Sequence, residues 1–98
     1  MKTIEPKEVE GKIAAGQSLN IIDVREVEEV RNGKIPTAIN IPLSLLEFRM
    51  NELDKSKEYI VVCQAGGRSA RAVQFLESEG YDVINMNGGM LEWEGETE

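Results

Sequence analysis

A single thiol, two adjacent glycines, an arginine and a serine follow one another in Cys63-Gln64-Ala65-Gly66-Gly67-Arg68-Ser69. The β-branched run Ile60-Val61-Val62 leads straight into the cysteine. Inside a strand, a free cysteine is usually a small buried hydrophobe. At a strand end, before a loop that glycines allow to curl, successive backbone N–H groups can turn toward the sulfur and favour an anion there. A helix opening at Ser69 adds its dipole, and Arg68 adds a permanent charge. Together these lower a thiol's pKa and make a thiolate without a neighbouring base. The chain has no histidine, so Cys-His and Ser-His pairs are excluded. The chemistry predicted is therefore nucleophilic, with Cys63 as the attacking atom and Arg68 as the anion's partner. Taken singly, Gly66 and Gly67 could be an ordinary turn and Ser69 an ordinary helix cap; their joint placement carries the signal. A phosphate loop needs lysine before the final Ser or Thr, and Arg68 stands there instead, which removes nucleotide hydrolysis.

The elements around this loop can be read from hydrophobic pattern and punctuation. Residues 2–5 read as a short strand, and 6–16 as a helix with Pro6 at its start, Val9 and Ile13 one turn apart, and Gly16 as its stop. Strands are predicted over 19–24, 37–41, 58–63 and 81–86. Helices are predicted over 26–33, over 43–53 with Leu46, Met50 and Leu53 on one face, and over 69–80 with Ala72, Val73 and Leu76 on one face. Aliphatic strands alternating with helices predict an α/β chain with a mainly parallel central sheet of about five strands, covered on both faces. In such sheets ligands gather at the carboxyl ends of strands, and Cys63 stands at one.

Composition sets the remaining bounds. Ninety-eight residues, 41% hydrophobic and 30% charged, suit one domain over residues 1–98, with an acidic tail at 95–98 expected to fray. Eighteen acidic against 11 basic residues give a net charge of −7, which argues against nucleic acid or an anionic membrane as partner. Local arginines can still serve a small anion, because fields decay over about 8 Å at physiological salt. No apolar run is long enough for a membrane span, and the amino terminus lacks a signal-type core. One cysteine forms no internal disulfide, and with no histidine there is no zinc or haem set, so no metal or cofactor is expected and the predicted location is the cytoplasm.

Three segments together resemble the rhodanese-like sulfurtransferases in their single-domain form. The stretch from Ile21 to Leu43, "IIDVREVEEVRNGKIPTAINIPL", is similar to that family's D-V-R-x-x-x-E motif followed by G-H-I-x-G-A-x-N-I-P. The stretch "VVCQAGGRSA" is similar to its C-x-x-G-x-R-S loop, and "NMNGGMLEW" to its G-G-x-x-x-W ending. Lys34 stands where the family often has histidine, and Thr37 where it often has glycine. The resemblance implies that Cys63 takes a sulfane sulfur from a donor such as thiosulfate or a persulfide. The amides from Gln64 to Arg68 would hold the outer sulfur, while Arg68 helps bind the donor. An acceptor such as cyanide, a small thiol or a protein thiol then removes the sulfur. Asp23 and Arg25 match the family's D-x-R pair, which braces the fold beside the site, whereas alone they would read as a surface ion pair of little weight. Trp93 reads as a packing cap and the acidic runs as solvated faces.

Four rivals follow. Phosphatases on the same scaffold, with which arsenate reductase activity is grouped, have a loop one residue longer than the six residues from Cys63 to Arg68, and need an acid for the leaving alkoxide. A binding module without catalysis typically lacks the cysteine. A persulfide carrier differs from the enzyme only in its acceptor.

Overall fold

A computed structural model describes residues 1–98. Five strands, β1 (Thr3–Ile4), β2 (Ile21–Asp23), β3 (Ile39–Asn40), β4 (Glu58–Val62) and β5 (Asp82–Met86), form one sheet in the order β1-β5-β4-β2-β3. Every pairing is parallel. The helices are α1 (Pro6–Ala14), α2 (Val27–Val30), α3 (Leu46–Arg49) and α4 (Gly67–Ser78), with single 3-10 turns at Leu43–Leu45, Met50–Glu52 and Gly89–Glu92. The five-stranded parallel sheet with helices is the architecture that the alternation of apolar runs predicts.

Alternation along β4 divides the interior in two. Tyr59, Val61 and Cys63 face one layer with Ala72, Val73 and Leu76 of α4 and Leu46 of α3. Ile60 and Val62 face the other, with Val9 of α1, Ile35 and Met86. Both faces of β4 are buried, which is why its sequence reads as a continuous apolar run rather than an alternating one. Burying each such aliphatic side chain contributes about 1.5–3 kcal/mol. Pro6, whose missing N–H costs nothing in a first turn, occupies that turn of α1.

The register fixes what stands beside the cysteine. Asp23 pairs with Val62, so the end of β2 lies alongside the last residue before Cys63. The Cys63 carbonyl in turn accepts from the Met90 amide at 2.8 Å, which brings the turn after β5 under the same loop.

Two expectations need correction. The single helix predicted over 43–53 is three short pieces, because the backbone departs from helical angles at Leu45 (φ −103°, ψ −2°) and Arg49 (φ −108°, ψ 1°). Leu46 and Leu53 are nonetheless buried, as the spacing requires, while Phe48 on the far side is exposed. The tail expected to fray is fastened. Lys34 and Glu98 exchange backbone hydrogen bonds of 3.1 and 2.9 Å, and the Lys34 ammonium meets the Glu98 carboxylate at 2.7 Å. No helix is long and apolar enough to cross a membrane.

Candidate active site

Cys63 directly follows the last residue of β4 and, 1% exposed, closes the α4 side of the core. The chain then reverses. Gly66 takes a left-handed conformation (φ +103°) that a side chain would resist, and α4 begins at Gly67. This turn points the Gly66 N–H back at the sulfur, donating to Cys63 Sγ at 3.0 Å. Gln64 is half-buried, while Ala65 and Gly67 are exposed at the loop's crest.

Ser69 is not the cap of α4, as its type and position suggest. Gly66 is the cap, and Ser69 lies buried in the first turn with its hydroxyl turned inward. Its Oγ is 3.3 Å from Cys63 Sγ and donates to the Gly66 carbonyl at 3.1 Å. One hydroxyl proton therefore faces two acceptors. With a neutral thiol it can rest on the carbonyl while S–H donates to Oγ; a thiolate, the stronger acceptor, draws it over. Burial pushes the Cys63 thiol up, but hydrogen bonds from the Ser69 hydroxyl and amide and from the Gly66 and Ala65 amides more than offset it. The net shift is downward.

The floor beneath the loop comes from the turn after β5. The amides of Met90 and Leu91 donate to the carbonyls of Cys63 and Gln64 at 2.8 and 3.0 Å. With those carbonyls tied back, the N–H groups that follow are free to face the cradle. Such close approach needs Gly89, where a Cβ would lie 2.4 Å from the Cys63 oxygen.

Arg68 is held within the fold. Its guanidinium does not point unpaired into the cradle; both terminal nitrogens grip the Glu29 carboxylate, at 2.6 and 2.8 Å. Glu29 also completes the capping box at the start of α2, accepting the Glu26 amide at 2.9 Å. Hydrogen bonding from Arg68 first, and from the Glu26 amide second, holds the Glu29 carboxyl at about 2. The same pair raises Arg68, to which the nearby Cys63 thiolate adds.

Asp23 and Arg25 form a buried pair instead of a surface one, 0% and 3% exposed. Arg25 Nε and Nη2 meet the Asp23 carboxylate at 3.0 and 2.8 Å, and Nη2 also donates to the Gly33 carbonyl at 2.8 Å. Asn40 donates to the carbonyls of both residues at 2.9 Å. This network ties β2, α2 and β3 together behind the loop. Lys34 is spent on Glu98 and on the Ala38 carbonyl, and Trp93 packs on the α1-side core with its indole N–H on the Glu96 carbonyl.

Glu29 and the Gly88-Gly89 turn are the site residues that reading Cys63 and its loop alone does not find. Their signal was present in the motifs around Asp23 and Trp93, but partners 39 residues apart, as Glu29 and Arg68 are, leave no local spacing to read.

A family model, the rhodanese-like domain, matches residues 5–96. A Bacillus subtilis protein named "Putative sulfurtransferase YtwF" is 42% identical over 97 residues, 99% of this chain and 94% of that protein. A protein of Allochromatium vinosum named "Sulfurtransferase" is 31% identical over 91 residues, 92% of this chain and 85% of its own. The crystal structure of a rhodanese-like domain protein from Staphylococcus aureus superposes with a TM-score of 0.94 at 38% identity, covering 100% of this chain and 97% of that one.

Proposed function

Given that the chain belongs to the rhodanese-like family of sulfurtransferases, we propose that Cys63 carries a sulfane sulfur from a donor to a nucleophilic acceptor as a persulfide. The observation that supports this most is the Gly66 N–H donating to Sγ at 3.0 Å inside a loop whose carbonyls are tied back. That arrangement suits a sulfur anion at Cys63 and a second sulfur just beyond it.

With thiosulfate, the Cys63 thiolate attacks the outer sulfur. A sulfur–sulfur bond forms, the bond to the SO3 group breaks, and sulfite leaves with the electron pair, so the negative charge passes to the new outer sulfur. An alkyl persulfide reacts in the same sense, releasing its thiolate. Neither leaving group needs a general acid, which suits a chain without histidine. The amides from Gln64 to Arg68, with that of Ser69, receive the charge on the outer sulfur, while the Ser69 hydroxyl supports the inner one. Cyanide or a thiol then attacks the outer sulfur and returns Cys63 as thiolate. There is no second cysteine to resolve the persulfide, so the acceptor is another molecule. The small donor and a cyanide, thiol or protein-thiol acceptor are the partners this chemistry requires.

Intact mass after brief exposure to thiosulfate, to polysulfide and to an alkyl persulfide tests the reading. We expect one added sulfur that cyanide or dithiothreitol removes and that Cys63→Ser never acquires. No adduct with any donor would leave a binding module as the better account. Hydrolysis of aryl phosphates faster than sulfur transfer would mean that the six-residue loop holds phosphate.

A further inference from the structure

The two arginines of the site, Arg25 and Arg68, are already paired. Arg25 is buried against Asp23 at 2.8 Å, and Arg68, the cation on the loop itself, has both forks on Glu29. This second pair is not a loose surface contact. Glu29 is fixed at the start of α2 by the Glu26 amide, and its own backbone carbonyl accepts from Arg25 at 3.4 Å. Glu26 adds further negative charge near Arg68. A donor entering the cradle therefore meets directed amides but little net positive charge.

Donors differ in how much charge they bring. Thiosulfate is a dianion whose leaving group, sulfite, is also doubly charged and sits one bond from the transferred sulfur. A small alkyl persulfide brings at most one negative charge and releases a thiolate that water can protonate. Resting on the sulfur-transfer reading above, we propose that Glu29 is a specificity-determining residue: by holding the guanidinium of Arg68 it biases the site toward alkyl persulfides and away from thiosulfate. Glu29 touches neither sulfur nor donor; it acts through Arg68.

Glu29→Gln isolates this role, because the amide oxygen can still accept from Glu26 and from one nitrogen of Arg68 while the neutralising charge is gone. Steady-state kinetics of the full chain with thiosulfate and with 2-hydroxyethyl persulfide, cyanide as acceptor, are compared with those of the unsubstituted chain. The expected result is a fall of roughly tenfold in KM for thiosulfate relative to KM for the persulfide, the order of one charge-assisted contact made available. In an Arg68→Ala background the same substitution should leave the KM ratio where it is, since nothing remains to release. A ratio that Glu29→Gln does not move, in a folded protein that forms the Cys63 persulfide, overturns the proposal alone. A ratio that moves equally without Arg68 overturns the route through Arg68. Failure of every donor to load Cys63 would instead remove the sulfur-transfer reading, and the proposal with it.

Discussion

Gly89 lies against Cys63 so closely that a Cβ on it would stand 2.4 Å from the Cys63 carbonyl oxygen and 2.6 Å from the Gln64 carbonyl carbon. These are backbone atoms held by the Met90 and Leu91 amides, and they have nowhere to go. Gly89→Ala is expected to cost about 3 kcal/mol or more in urea unfolding and to abolish persulfide loading even in the fraction that folds. Gly88→Ala is the control. Its Cβ meets the Glu92 side chain at 2.6 Å, which can swing away, so the left-handed backbone at φ +73° supplies most of a loss of roughly 1–2 kcal/mol.

Ser69→Ala removes the hydroxyl that stands 3.3 Å from the sulfur. The thiol then loses a donor that lowers its pKa, and its alkylation profile should move to higher pH. At neutral pH sulfur loading should slow by roughly ten- to a hundredfold, the worth of one hydrogen bond to a charged acceptor. Iodoacetamide alkylation across a pH series, beside loading rates, measures both. An unmoved profile would assign the work to the amides alone.

Breaking the buried pair should hurt the fold more than the chemistry. Asp23→Asn leaves Arg25 charged at 3% exposure and should destabilise the chain by about 3–5 kcal/mol. Replacing both, Asp23→Leu with Arg25→Met, should recover part of that loss because no charge remains buried. Urea titrations of the three proteins separate a lost ion pair from an orphaned charge.

Thr37 holds φ +70°, the one non-glycine residue in the left-handed region. A β-branched side chain there is strained. Thr37→Gly should raise stability by roughly 0.5–1 kcal/mol, net of glycine's greater freedom when unfolded, visible as a higher melting temperature. A lower melting temperature would mean that the threonine's own contacts outweigh its strain.

Acid should weaken the α2–loop link. Glu29 sits at about 2 when folded against an ordinary 4.5, so the folded state holds fewer protons at this group than the unfolded one. Its contribution is complete above the ordinary value and disappears as pH falls from there toward the folded one. The stability difference between the unsubstituted chain and Glu29→Gln should be flat near neutrality and shrink through that window. The gap should be small and sensitive to salt, since both side chains are about a third exposed.

The sheet was legible because β4 and β5 announce themselves by composition, and α1 and α4 by apolar residues at helical spacing. The cradle was legible because a cysteine, a glycine pair and an arginine sit within six residues. What escaped depends on partners distant in the chain. Nothing in "GRS" says that Gly66 caps α4 and frees Ser69 to turn inward. Nothing near Arg68 says that Glu29, on the other side of β3 and β4 in sequence, will take its fork. The break of the 43–53 segment also escaped, since Leu46, Met50 and Leu53 keep helical spacing even where the backbone between them tightens. The fastening of Glu98 to Lys34 escaped because acidic tails are ordinarily solvated.

The two outermost strands, β1 and β3, are two residues long each. A sheet edge is a template on which another chain can extend itself, and two residues offer too few free N–H and C=O groups to hold a stranger in register. Lys2, flanking β1, is engaged by Glu58 and Asp82, and a net charge of −7 keeps like molecules apart. The parallel core, which folds slowly when its pairings are distant in sequence, is thus hemmed by borders that resist growth. Concentrated solutions should form no β-rich fibrils by thioflavin T binding, and lengthening β3 with further β-branched residues is the change that should undo that resistance.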